Sequence, residues 1–152
     1  MSKANMLVGV QFVMFTVFAI LLIVMPPVDS QAIRIAGLLL AIVGVLIGLM
    51  GIREHGTANK TSPNVTPIPK ADVPLVTSGV YSKIRHPIYT GVIGSALGLA
   101  IAHGGIIPIV FALVFIPFFT YKSRYEETLL KQQYPEYVEY MTTTGRFLPP
   151  LM

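Results

Sequence analysis

Residues 6–25, "MLVGVQFVMFTVFAILLIVM", run for 20 positions without an ionisable side chain. At about 1.5 Å per residue, a helix of that length covers about 30 Å, the thickness of a bilayer core. A secretory signal would have an apolar region of only about 7–15 residues followed by a small-residue cleavage site, and neither fits here. The segment therefore reads as a retained membrane span, ended by Pro26 and Pro27, which cannot continue a helix.

The rest of the chain agrees. Of its 152 residues 53% are hydrophobic and only 12% charged, about half the charge of a soluble domain. Residues 35–52, "IAGLLLAIVGVLIGLMGI", form a second uncharged run. Gly44 and Gly48 within it make a G-x-x-x-G, with Gly37 and Gly51 nearby, and small residues let helices approach closely in lipid. That approach serves packing within the chain or between copies in a homo-oligomer. Residues 53–80 contain Pro63, Pro67, Pro69 and Pro74 and read as an extended surface segment. A loop this long in a small protein suits a functional cover. From Pro87 to Tyr121 no side chain has a fixed charge at neutral pH. His103-Gly104-Gly105 divides this run into a helical hairpin, with a third span over 88–102 and a fourth over 105–120. Gly91, Gly94 and Gly98 should bring the third span close to a neighbour or a ligand. Pro108 and Pro117 should kink the fourth. Beyond Tyr121 the chain is polar and rich in helix formers. Pro135 interrupts it and "TTTG" at 142–145 ends it, so the tail reads as an interfacial helix with tyrosines at headgroup level.

The expected fold is thus an all-α, polytopic membrane protein of about four spans in one membrane domain: two spans over 1–52, a proline-rich loop over 53–80, and a cofactor-binding half over 81–152. Lys3, the five basic residues from Arg53 to Arg85 and the four from Lys122 to Arg146 fall on one side of four crossings; Arg34 alone falls on the other. The excess of Lys and Arg places both termini, the long loop and the tail in the cytoplasm, in the inner membrane if the cell is prokaryotic. A net charge of +4 without a basic run or a soluble domain gives no footing for nucleic acid. With no cysteine, disulfides, zinc–thiolate sites and a Cys nucleophile are excluded. With three scattered histidines and no H-E-x-x-H, no metal site is expected. Glycine-rich dinucleotide and P-loop fingerprints are lacking.

What remains are two charged clusters at the same membrane interface. Arg85 and His86 precede the third span, and Glu126 and Glu127 follow the fourth. Taken singly, His86 caps a helix, Arg85 reaches toward phosphate, and Arg124 pairs with Glu127 at i,i+3. Together they outline a polar pocket, with Arg85 and His86 on one wall and a glutamate on the other. Adjacent helical residues lie about 100° apart, so Glu126 and Glu127 cannot share one face.

Two segments carry a family resemblance. "LVTSGVYSKIRHPIYTG" (75–91) resembles the stretch leading into the third span of the integral-membrane methyltransferases, the isoprenylcysteine carboxyl methyltransferase and phospholipid methyltransferase group. The shared residues are Gly79, Tyr81, Arg85, His86, Pro87, Tyr89 and Gly91. "RYEETLLKQQYPEYVEYMTTTGRFLP" (124–149) resembles the same group's C-terminal block through Arg124, Glu126, Glu127, Leu130, Glu136, Tyr137, Tyr140, Arg146 and Pro149. The resemblance covers about the last half of the chain. It implies S-adenosylmethionine as methyl donor and a lipid-like or apolar acceptor entering from the bilayer. The residues expected at the cofactor are Tyr81, Arg85, His86, Pro87, Tyr89, Gly91, Glu126 and Glu127, with Arg85 and Glu127 expected in catalysis. His86, with Arg85 or Tyr89, suits the donor's carboxylate; Glu126 or Glu127 suits its ammonium or ribose. Eukaryotic isoprenylcysteine enzymes are larger, so a prenylated-protein acceptor is not assumed. The alternatives are an NADPH-dependent membrane reductase of the sterol-reductase type and a non-catalytic membrane module. NADPH would require a further basic cluster, for which Lys60, Lys70 and Lys83 are the candidates.

Overall fold

The computed structural model describes residues 2–60, 63, 65–70 and 73–150. Asp72, one of the seven acids of the chain, lies outside them. Among the described residues the fold consists of five α-helices: α1 (Lys3–Val24), α2 (Gln31–Asn59), α3 (Pro87–His103), α4 (Ile106–Gln133) and α5 (Tyr137–Thr143), with a 3-10 turn at Gly79–Ser82. No strand occurs among the described residues, only a single parallel bridge between Ile84 and Gly145. The expected all-α membrane architecture is what the chain forms. Among the described residues α1, α2 and α4 are long and apolar enough to cross a bilayer; α3, expected as the third crossing, has 17 residues.

The helix ends follow local chemistry. Ser2 caps α1 by accepting from the Asn5 amide at 3.3 Å. Pro87 opens α3 at a position where a missing N–H costs nothing. Gly104, with φ of +76°, closes α3 in the left-handed conformation that glycine adopts most easily.

Two boundaries differ from expectation. Residues 53–59, expected to be extended, continue α2 to Asn59. The extended reading rested on prolines, and the first of these is Pro63; Arg53, Glu54 and His55 carry no signal against a helix. Likewise the fourth span and the tail helix are one helix, α4, of 28 residues. No Gly or Pro occurs between Pro117 and Pro135 to divide it. Pro108 falls in its first turn and Pro117 inside it.

The glycines of α2 and α3 face each other within the chain. A Cβ on Gly37 would lie 2.2 Å from the Ala102 nitrogen, one on Gly98 2.3 Å from the Ala41 nitrogen, and one on Gly91 2.6 Å from Gly48 Cα. The two backbones therefore meet directly, as small residues permit in lipid. This seam occupies the face through which a homo-oligomer was expected. On the other side of α3, α4 packs Phe115 and Phe119 with Met14 and Phe18 of α1 into a buried cluster. The outward faces of α1, α2 and α4 expose large apolar side chains such as Val13, Ile23, Leu39, Ile42 and Val110. In water that would be a severe liability; in a bilayer it is the surface lipid requires. The chain is an integral membrane protein.

At the end remote from the charged clusters, the α1–α2 connection is fastened to the α3–α4 turn. The Val28 amide donates to the His103 carbonyl at 2.9 Å, and His103 Nε2 lies 3.0 Å from the Met25 carbonyl oxygen. His103 thus helps to fasten this end of the bundle.

Candidate active site

The two motif segments are brought together by backbone pairing. The Arg85 amide donates to the Gly145 carbonyl at 2.9 Å, the His86 amide to the Arg146 carbonyl at 3.1 Å, and the Gly145 amide to the Lys83 carbonyl at 3.0 Å. Thr90 Oγ1 adds a bond to the Phe147 carbonyl at 2.8 Å. The chain beyond α5 is thus laid alongside the entry to α3.

Glu127 is the centre of this junction. Its side chain is 3% exposed. Oε1 accepts from Arg85 Nε at 3.1 Å and Arg146 Nε at 3.3 Å, and lies 3.3 Å from His86 Nε2. Oε2 accepts from Arg146 Nη2 at 2.7 Å. Two guanidiniums on one buried carboxylate supply the pairing that makes burial of the charge tolerable. Arg85 Nη1 goes on to the carbonyls of Met141, at 3.2 Å, and Thr144, fixing the end of α5. The pairing of Arg124 with Glu127 is replaced by these longer-range partners.

Beside the junction lies a cavity of about 330 Å³. Of the residues the resemblance places at a cofactor, Tyr81, Arg85, His86, Tyr89 and Glu126 line it; Pro87, Gly91 and Glu127 do not. Pro87 packs against Gly51, and Gly91 against Gly48 in the α2–α3 seam. Glu127 is behind the wall, and Glu126 is the glutamate that meets the cavity. His86 and Tyr89 stack at 5.4 Å with an interplanar angle of 4°. The Tyr89 hydroxyl donates to Glu126 Oε2 at 2.8 Å. His86 Nδ1 is 3.7 Å from the same oxygen. The opposite wall comes from the proline-bearing segment, including Val65, Pro69 and Leu75. Tyr134 holds it through the Val73 carbonyl and Gln133 through the Lys70 carbonyl.

The cavity also takes in residues that were not expected at the cofactor. His55 reaches the cavity because α2 continues past the membrane segment. Glu54, one residue earlier, accepts from the Ser78 hydroxyl and lies under Gly79, whose φ is +56°. Tyr137 and Tyr140 line the cavity from α5. Burial pushes the Tyr140 phenol up to about 12, against a smaller pull from the Arg85 charge, and raises Tyr81 and Tyr137 further. The Tyr140 hydroxyl donates to the Tyr81 carbonyl at 2.5 Å, whereas the Tyr137 hydroxyl and His55 Nδ1 are buried without a partner. Both atoms can bond to water or to a polar ligand. No group of three or more His, Asp or Glu side chains is placed to hold a metal ion among the described residues.

A second cavity, of about 390 Å³, adjoins the first and is almost wholly apolar. Phe15, Phe18, Val45, Leu49 and Phe115 line it between the membrane helices, and Ile52, Ile88 and Val92 belong to both cavities.

Comparison with known proteins fits this arrangement. The family model for phospholipid methyltransferase matches residues 32–137, most of α2 through the start of α5. The chain belongs to the phospholipid methyltransferase family. Within a wider set of similar proteins, a probable protein-S-isoprenylcysteine O-methyltransferase of Oryza sativa is 29% identical over 97% of this chain and 81% of its own length. The cobalt-zinc-cadmium resistance protein CzcN of Cupriavidus metallidurans is 38% identical over 51% of this chain and 36% of its own. The chain thus spans little more than a third of the metal-resistance relatives it matches. A solved eukaryotic intramembrane Ras methyltransferase, the isoprenylcysteine carboxyl methyltransferase, superposes with a TM-score of 0.69 at 22% identity, over 98% of this chain and 54% of the other. That likeness shows that this family member has the same fold.

Proposed function

We propose that the chain is a membrane methyltransferase that binds S-adenosylmethionine in the first cavity and a lipid-like acceptor in the second. The observation that carries the reading is the pair of adjoining cavities: one sets polar and charged side chains of both motif segments among apolar ones, the other is almost wholly apolar and set among the membrane helices. The polar cavity falls in the size range of small-molecule sites. Its donor set fits the cofactor. Glu126 offers a carboxylate to an ammonium or to ribose hydroxyls. Tyr81 and the stacked His86 and Tyr89 offer aromatic faces to an adenine. The unpartnered Tyr137 hydroxyl and His55 nitrogen offer polar contacts. Arg85 lines the cavity, but its Nε and Nη1 are engaged by Glu127 and the end of α5, which leaves Nη2 for a carboxylate. Bound there, S-adenosylmethionine would supply a methyl group on a sulfonium, activated for direct displacement.

The protein's part is to hold donor and acceptor in line and keep water out. Glu127 serves as the post to which Arg85, His86 and Arg146 are tied, and Glu126 and Tyr89 meet the ligand. The apolar second cavity supports an acceptor arriving from the bilayer, as the names of the isoprenylcysteine relatives suggest. The lopsided distribution of Lys and Arg supports a cytoplasmic opening for the polar cavity, with four crossings.

Isothermal titration of detergent-purified protein with S-adenosylhomocysteine tests the reading. Micromolar binding is expected, lost in His86→Ala and weakened about tenfold or more in Glu126→Gln. Binding of NADPH without binding of either adenosyl compound would overturn it in favour of a reductase. Of Lys60, Lys70 and Lys83, only Lys70 lines the cavity.

A further inference from the structure

The last two turns of α2, residues 53–59, extend past the apolar run and reach the polar cavity through His55. They are fastened there. Glu54 accepts from the Ser78 hydroxyl, and a Cβ on Gly79 would lie 2.6 Å from the Glu54 carboxyl. This contact sets the end of α2 beside the 3-10 turn that carries Tyr81, so His55 and Tyr81 enter the cavity from abutting elements.

His55 makes one side-chain hydrogen bond among the described residues. The Asn59 amide, one helical turn on, donates to Nε2 at 3.5 Å. An amide NH2 only donates, so Nε2 is the accepting nitrogen and the proton of the neutral ring stands on Nδ1. Nδ1 is buried and has no partner among the described residues. The imidazole thus brings an unanswered N–H to the cavity wall, with Asn59 fixing its direction. The charged end of S-adenosylmethionine finds its partners elsewhere, at Arg85 on α3 and Glu126 on α4. The end of α2 is left the uncharged part. The chain after α2 gives Pro63, Val65 and Ile68 to the same cavity, an apolar wall that suits the face of a purine. The ring nitrogens at the edge of an adenine are acceptors, and burying them without a donor is costly.

We infer that His55 is a specificity-determining residue of the donor site: its Nδ1–H donates to a ring nitrogen of the adenine, and Asn59 positions the imidazole for that bond. The inference rests on the methyl-transfer reading and deepens it. The base is read from the end of α2, outside both motif segments, while those segments hold the charged end.

The test is titration calorimetry of the intact protein in detergent with S-adenosylhomocysteine, its 1-deaza, 3-deaza and 7-deaza analogues, and 5′-methylthioadenosine. In the wild type one of the deaza analogues should bind about tenfold more weakly than S-adenosylhomocysteine, because the imidazole N–H loses its acceptor. His55→Phe keeps a ring without the N–H. It should weaken S-adenosylhomocysteine and 5′-methylthioadenosine by the same factor of about ten, and bind the penalised analogue within about twofold of S-adenosylhomocysteine. His55→Asn, whose amide NH2 takes the place of Nδ1–H, should keep most of the preference, and Asn59→Leu should lose part of it. Melting temperatures without ligand should stay within about 2 °C of wild type, which reports a folded site. The inference is overturned if the wild type penalises none of the three analogues, if His55→Phe keeps the penalty, or if His55→Phe weakens S-adenosylhomocysteine but not 5′-methylthioadenosine, which would put the N–H on the amino-acid end. A wild type that binds no adenosyl compound refutes the donor reading and the inference with it. Binding that is intact but indifferent to His55 refutes the base contact alone, the imidazole then being served by water.

Discussion

Replacing Glu127 by Gln separates a structural post from a ligand contact. The substitution keeps the shape of the side chain and removes its charge. One of its oxygens becomes an amide NH2 aimed at a guanidinium. Removing one partner from a buried ion pair costs about 3–5 kcal/mol, because the remaining charge stays buried. Arg85, with 7% of its side chain exposed, pays that cost fully, whereas Arg146 at 26% is partly relieved by water. The lower half of the range therefore applies, about 3–4 kcal/mol. For a chain of this size each kcal/mol lowers the melting temperature by about 2–4 °C, so a fall of about 10 °C is expected. The assay is thermal unfolding by intrinsic fluorescence in one detergent, with and without S-adenosylhomocysteine. Glu126→Gln is the contrast: its side chain is 25% exposed and meets the cavity, so it should melt within about 2 °C of wild type and lose ligand affinity. If Glu127→Gln instead melts like wild type and abolishes binding, Glu127 contacts the ligand and the assignment of the two glutamates is reversed.

Three further outcomes follow from the packing and the titrating groups. Gly98→Ala forces a methyl to within 2.3 Å of the Ala41 backbone nitrogen and should cost about 2 kcal/mol or more, while Gly9→Ala, with open space around it, should be neutral or stabilising; melting temperatures of the two variants decide. Gly79→Ala meets the Glu54 carboxyl at 2.6 Å in a left-handed backbone and should lower S-adenosylhomocysteine affinity, an effect that Glu54→Ala in the same chain should reverse only in part because the strain in φ persists; titration calorimetry measures both. Burial raises the Tyr140 phenol to about 12, so the folded chain keeps a proton that the unfolded chain releases near 10; stability is fully present below pH 10 and should fall as pH rises from about 10 through about 12, with phenolate absorbance appearing together with unfolding. A midpoint of alkaline unfolding well below pH 10 would contradict this.

The membrane helices were legible because uncharged runs of that length have one common use, and the two motif segments were legible because their residue types are dense and ordered. The choice between Glu126 and Glu127 was not. Adjacent helical residues diverge by geometry alone, but which one turns inward depends on where residues 144–146 cross residues 83–86, a pairing between segments about 60 positions apart in sequence. Arg146 was seen only as part of a motif, since nothing local marks it as the partner of Glu127. Lys122 read as one more positive residue at a membrane edge, and its burial depends on Gln11, 111 positions away. A single glutamine in an apolar helix was the available signal, and it is a weak one. The boundary of α2 was misjudged for the opposite reason: prolines further along the chain were allowed to speak for residues 53–59, which contain none.

The glycine seam between α2 and α3 also has a consequence for motion. Two helices in backbone contact at Gly37, Gly48, Gly91 and Gly98 have no side-chain layer that can re-pack, so they behave as one stiff plate. Ile52 and Ile88, which belong to both cavities, are mounted on that plate. The boundary between the two chambers is then a fixed datum, and admitting a ligand falls to the walls joined through side chains, α1 and the proline-bearing segment. Amide hydrogen exchange would register the difference as slow, uniform protection along the plate and faster opening at those two walls.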